Sequence, residues 1–307
     1  MATFGTLFCN REIFMKIAVS ESRTARWLVF PNALDIVVMG VWVFVSHMIV
    51  VRIAIACGIA IPDFEAVESP DLEVALSAGD DMARTMLLIY GPSMLLAIAG
   101  ALLYRRLRGG RGRAVGFSLA GLNPTLLLWG VVWMIATEIV AEPLFELLPP
   151  APDVAGRGVW AVIMTIIVAP VLEEILCRGI ILESLRSKYG VIAAWIFSSL
   201  FFGVIHGQIT SMVNALIIGS ILGYICIRSR SVLSSIFLHG VNNALALTAI
   251  YFGLGDRTFS SLIPDIRIYA VVYAVAAVLC TAGLVYLVLG LVKEARSEKA
   301  AKTEAQA

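Results

Sequence analysis

Residues 158–183 read GVWAVIMTIIVAPVLEEILCRGIILE. The run is long enough to cross a bilayer, which takes about 20 mostly apolar residues. Yet Glu173, Glu174 and Arg178 stand in its middle. Ionisable groups at that depth cost about 2.5–3.5 kcal/mol each on insertion scales, and they persist where a bundle interior or a site uses them. One stretch thus sets two expectations: a polytopic, all-α membrane bundle, and a polar cluster inside it.

Composition supports the first. Of 307 residues, 60% are hydrophobic and 15% charged, with mean hydropathy +0.91, whereas soluble domains average roughly 45–50% apolar. The net charge of +1 carries no basic excess, and nucleic acid is not among the expected partners; the lipid bilayer is. The five cysteines (Cys9, Cys57, Cys177, Cys226, Cys280) are scattered, odd in number and without CxxC spacing. They read as buried thiols packing as small apolar groups.

Eight spans are predicted, at about 34–61, 82–104, 124–148, 158–184, 191–208, 211–228, 231–253 and 268–292. The fifth and sixth are separated only by GQITS, which implies a tight helical hairpin. Cations gather after even-numbered spans: YRRLRGGRGR, RSK, RSR and KEARSEK. The loop after the first span, DFEAVESPDLEVALSAGDD, is acidic, and PPAPDVAGR and GLGDR are cation-poor. By the positive-inside rule both termini face the cytoplasm, in a bacterial inner membrane. Residues 1–33 read as a cytoplasmic or interfacial segment, because Arg11, Lys16 and Arg23 interrupt its apolar runs. Residues 34–123 hold two spans and loops, 124–255 a core rich in intramembrane polar groups, and 256–293 a last span. The tail 294–307 is polar, low in complexity, and expected to be frayed. His47 and Arg52 in the first span are the discord. They are given a structural role, with Arg52 snorkelling or facing the bundle.

Helical spacing arranges the polar core. Glu174 and Arg178 are i and i+4, so they share a face and can pair. Glu173 lies about 100° round, with no local partner. Its structural alternatives are an ion pair with Arg52 or a protonated carboxyl bonded to a neighbouring helix. Phe202 and His206 share a face in FFGVIHG, and His239 and Asn243 share one in FLHGVNNALA, with Asn242 beside them. Counted from the cationic ends, Glu173 lies about 20 Å deep, His206 about 22 Å, His239 about 12 Å and Asn243 about 18 Å. With ordinary helix tilts these depths suit one cluster near the midplane.

A carboxylate beside an imidazole can take a proton from water and make a nucleophile. A second imidazole with an amide N–H can donate to a developing oxyanion. No GxSxG, HExxH or Ser/His/Asp pattern appears. A divalent metal such as zinc could be held by Glu173, His206 and His239, but no other ligand spacing favours it, and no cofactor is expected.

EEILCR fits EExxxR, FGVIH fits FxxxH and HGVNN fits HxxxN, in that order on consecutive polar-bearing spans. Over roughly residues 125–255 the chain resembles the CPBP family, the CAAX proteases and bacteriocin-processing or immunity proteins also called the Abi family. It departs from the family in carrying Arg230 where a small residue is usual. The resemblance implies an intramembrane endopeptidase in which Glu173 and His206 activate water, His239 and Asn243 stabilise the oxyanion, Glu174 and Arg178 support the site, and Phe202 packs beside it. The implied partner is a peptide or protein substrate, membrane-associated or lipidated in some members. Two rival readings stand beside it: a non-catalytic immunity or scaffold protein, and a proton- or metal-coupled transporter using Glu173 and the histidines as a relay. A transporter would show inverted repeats or broken helices, and none is visible beyond Pro170.

Overall fold

The computed structural model describes residues 30–59, 72–110, 116–150, 156–254 and 257–305. The expectation for residues 1–29, and that for Cys9, lie outside them. Among the described residues every regular element is a helix. The long ones are α1 (Ala33–Ala56), α2 (Leu72–Leu107), α3 (Pro124–Phe145), α4 (Gly158–Tyr189), α5 (Val191–Val204), α6 (Ile209–Ser229), α7 (Val232–Tyr251) and α8 (Ile266–Glu304). A backbone that satisfies its own hydrogen bonds is what a bilayer demands. Seven of the eight are long and apolar enough to cross a membrane, and the chain is an integral membrane protein.

The exception corrects one expected span. α5 has 14 residues, about 21 Å of rise, short of the roughly 30 Å hydrocarbon core. The apolar pattern continues past its end, but Gly207 takes a left-handed φ of 73° and turns the chain back into α6 at residue 209. The tight hairpin is present as expected.

Two sets of contacts define the ends of the bundle. At the cation-rich end, Tyr104 and Arg108 both donate to Asp35 Oδ1, at 2.7 and 2.9 Å. Lys188 and Tyr189 donate to the Pro31 carbonyl, and Arg186 pairs with Glu298 at 2.6 Å. At the other end Arg157 N–H donates to Gly79 O, Gly158 N–H to the Tyr251 hydroxyl, and Gln208 and Thr210 to the carbonyls of Pro150 and Pro149. The start of α1 and the end of α8 therefore lie on one side. Two boundaries differ from expectation. Residues 72–81, read as part of the acidic loop, open α2. The tail continues α8 as helix to Glu304, with Glu294 and Glu298 clasping Arg186.

α4 is the central element, packed against α2, α5, α6 and α7. Its sequence explains its irregularity. Pro170 has no N–H to give the preceding turn, and π-helical turns flank it at Ile163–Val168 and Ile175–Leu182. Such turns release carbonyls from the regular ladder and recur at functional sites. α1 packs on α2, while α3 and α8 pair on the far side. His47 and Arg52 are exposed on α1, so Arg52 faces outward and is not the partner of Glu173. Cys177 and Cys226 are buried as expected, but Cys57 is exposed at the end of α1 and Cys280 is only partly covered.

Candidate active site

Glu173 and Glu174 lie between the two π-turns of α4, one residue apart, and face different neighbours. Glu174 and Arg178 have no solvent exposure, and Arg178 Nη1 donates to Glu174 Oε1 at 2.8 Å. The i, i+4 pairing is thus formed, and α6 completes it: Arg178 Nη2 donates to the Gly219 carbonyl at 2.7 Å. The guanidinium also lies over the Phe202 ring, 4.4 Å from its centroid. Only glycine permits this approach, since a Cβ at 219 would meet Phe202 Cδ1 at 2.7 Å and Arg178 Nη2 at 3.3 Å.

Phe202 is buried at the centre of three charge-bearing neighbours. Its ring makes edge contacts with His206 (4.8 Å) and His239 (5.5 Å) as well as carrying Arg178. That is the packing role expected of it. Its carbonyl fixes His206, whose Nδ1 lies 2.7 Å from Phe202 O. A carbonyl only accepts, so Nδ1 carries the hydrogen and Nε2 points elsewhere. His239 is oriented in the same manner: Nδ1 lies 3.2 Å from Glu174 Oε1, and Nε2 is turned away.

Both freed nitrogens aim at Glu173. His206 Nε2 and His239 Nε2 each lie 3.9 Å from Glu173 Oε2. That oxygen is buried and has no hydrogen-bond partner among the described residues. The gap is too long for a direct bond and is of the length that one water bridges at ordinary bond lengths of about 2.7–3.0 Å. The His206 side chain is 28% exposed, so the cluster is open on that side, while Glu173 is 8% exposed and His239 5%.

Asn243 is placed differently. Its amide donates to Thr165 O at 2.9 Å, a carbonyl of the first π-turn of α4. Asn242 Nδ2 lies 3.5 Å from Asn243 Oδ1. The anchor uses one of the two amide hydrogens of Asn243 and leaves the other uncommitted. Glu173, His206 and His239 are thus brought together around one oxygen, with Asn243 one helical turn beyond His239.

A residue that the spacing of the motifs did not reveal completes the cluster. Tyr90, on α2, donates its hydroxyl hydrogen to Glu173 Oε1. It stands in the apolar run MLLIYGPSML, where nothing local ties it to position 173.

Glu173, His206 and His239 are the residues a divalent ion would need. Zinc sites gather ligand atoms within about 2.0–2.3 Å of one centre, and among the described residues no three His, Cys, Asp or Glu groups are arranged to hold a metal. A cavity of about 710 Å³ lies between α3, α6 and α8, lined by Trp129, Trp133, Arg228 and Tyr286 among others, but it contains none of the clustered residues.

Residues 155–245 match the model of the Rce1-like family, the type II CAAX prenyl endopeptidases. The match takes in all of the clustered residues except Tyr90. A curated Bacillus subtilis protein, "Putative membrane peptidase YdiL", is 29% identical over 95 residues, which cover 31% of this chain and 39% of that protein. No solved structure matches. Through residues 155–245 the chain is thus similar to the CAAX-type membrane proteases, and it spans well under half the length of the curated relative it matches.

Proposed function

We propose that the chain is an intramembrane endopeptidase that hydrolyses a peptide bond with a water activated by Glu173 and His206. The observation that carries this reading is the meeting of Glu173 Oε2 with the Nε2 atoms of His206 and His239, at 3.9 Å each. All three are free because their other polar atoms are engaged elsewhere.

The steps follow from the atoms. A water between Oε2 and His206 Nε2 gives a proton to the Glu173 carboxylate as its oxygen attacks the scissile carbonyl carbon. The resulting oxyanion accepts hydrogen bonds from His239 Nε2–H and from the second N–H of Asn243. Glu174, on His239 Nδ1, orients the ring, and Arg178 holds Glu174 in place. The proton then passes from Glu173 to the amide nitrogen as the C–N bond breaks, leaving a carboxylate and an amine. Low dielectric around the cluster strengthens each of these interactions.

The substrate in this reading is a membrane-associated peptide, reaching the cluster past the exposed edge of His206. In this reading the start of α1 and the end of α8 face the cytoplasm of a bacterium across its inner membrane, an orientation that the cationic ends of α2, α4, α6 and α8 support. The test is mass-spectrometric detection of new peptide termini after purified protein meets two pools, one unmodified and one with farnesylated C-terminal cysteine motifs, each with and without chelator. Cleavage in either pool, unaffected by chelator and absent with His206→Ala, is expected. Cleavage by His206→Ala at the wild-type rate, or by neither protein, would overturn the reading.

A further inference from the structure

We infer that Tyr90 is a positioning residue for Glu173, and that the α1–α2 pair, outside the matched stretch 155–245, is therefore part of the catalytic unit. The inference rests on the proposed peptidase reading and deepens it.

Glu173 carries two carboxylate oxygens. A carboxylate turns easily about its last torsion, whose preference is broad and two-fold, so either oxygen can present itself to a water. Here they are not equivalent. Oε1 accepts the Tyr90 hydroxyl, while Oε2 has no hydrogen-bond partner among the described residues and faces both histidine Nε2 atoms. A phenol has one hydrogen, and donating it to a carboxylate fixes its direction. Turning the carboxylate out of its present plane would break a charge-assisted hydrogen bond, the stronger class of such bonds. Tyr90 thereby holds one oxygen of Glu173 toward the two histidines as the proton acceptor. The groups facing Glu173 are Tyr90 from α2, His206 from the turn after α5, His239 from α7, and Cys177 on its own helix. Among these, Tyr90 alone hydrogen-bonds to it directly.

The surrounding structure delivers that hydroxyl accurately. α2 is joined to the start of α4 by Arg157 N–H on Gly79 O at 3.0 Å. A Cβ at Gly79 would lie 2.7 Å from the Arg157 side chain, so glycine allows the approach. α1 braces the other face of α2. Trp42 donates to Leu96 O at 3.3 Å, and it sits so close over Gly100 that a Cβ there would meet its Nε1 at 1.9 Å. Asp35 holds Tyr104 and Arg108 one turn apart at the end of α2. A helix fixed at both ends and along its back presents Tyr90 to Glu173 without play. Positioning of this kind matters because small misplacements of a reacting group cost large factors in rate.

The experiment compares wild type, Tyr90→Phe and Glu173→Gln on an internally quenched peptide carrying a farnesylated cysteine motif, together with infrared difference spectra. Tyr90→Phe keeps the ring and removes the hydrogen bond. Its kcat should fall by about 10- to 100-fold with KM unchanged, the range expected for one hydrogen bond to a charged group. The Glu173 carboxylate band, isolated as wild type minus Glu173→Gln, should shift in Tyr90→Phe. The same subtraction should contain a tyrosine C–O band, because the phenol loses its acceptor in Glu173→Gln; this part needs no Tyr90 variant and no substrate. Wild-type kcat in Tyr90→Phe, or a subtraction without the tyrosine band, overturns the inference while leaving the peptidase reading standing. Wild-type turnover by Glu173→Gln would instead overturn the peptidase reading itself.

Discussion

Replacing Arg178 by methionine tests how the site is held together. In the folded protein Arg178 and Glu174 are both without exposure and 2.8 Å apart. Arg178 also donates to Gly219 O at 2.7 Å and stacks on Phe202. Arg178→Met removes these and strands the Glu174 carboxylate, whose Oε2 has no hydrogen-bond partner among the described residues, with His239 Nδ1 at 3.2 Å and the Ser235 hydroxyl beside it. Breaking one side of a buried ion pair costs about 3–5 kcal/mol, and that loss is expected here. Adding Glu174→Gln removes the stranded charge. The double variant should therefore be more stable than Arg178→Met by about 1–3 kcal/mol, the size of coupling between contacting residues. Activity should not return, because His239 has lost its orienting carboxylate. Reversible unfolding in mixed micelles, followed by tryptophan fluorescence, measures the cycle. An Arg178→Met variant as stable as wild type, or a double variant less stable than the single, would refute this account of the support layer.

Gly219→Ala forces Phe202 and Arg178 apart, and overpacking of this kind costs about 1–3 kcal/mol; thermal melting should show the loss, with activity falling as the two histidine rings lose their common support. Asn243→Ala removes one oxyanion donor and should lower kcat by about 10²–10³-fold, read in the same peptide assay with KM little changed. A cysteine introduced at Gly110 should resist an impermeant maleimide added to intact cells, and one at Gly253 should react, because the cationic end faces inward. Strong chelators should leave wild-type turnover unchanged, whereas a metal site would lose activity and regain it with Zn²⁺.

The fold was legible because a bilayer imposes one simple rule on every span. Eight apolar runs became eight helices, and the side on which Lys and Arg gather is the side where Asp35, Arg108, Arg186 and Glu298 meet. The Glu174–Arg178 pair was legible because helical spacing alone puts i and i+4 together. Three features were not. The early end of α5 depends on a left-handed turn at Gly207 within an unbroken apolar pattern. The π-turns of α4 come from Pro170 and from packing against α7, where Asn243 takes the Thr165 carbonyl. Tyr90 reaches Glu173 across 83 positions, and no periodicity encodes a contact that two separate helices make only when packed. The expected frayed tail is helix for the same reason: Glu294 and Glu298 pair with Arg186, which stands on a different helix.

The most direct test of the central claim is single-turnover cleavage by wild type and Glu173→Gln, prepared identically and matched for melting temperature. The substitution keeps the shape of the side chain and removes the proton acceptor at Oε2. The account predicts that the cleavage rate falls by about 10²–10⁴-fold, the range for loss of a general base, with substrate binding retained. Cleavage by folded Glu173→Gln at close to the wild-type rate would contradict it.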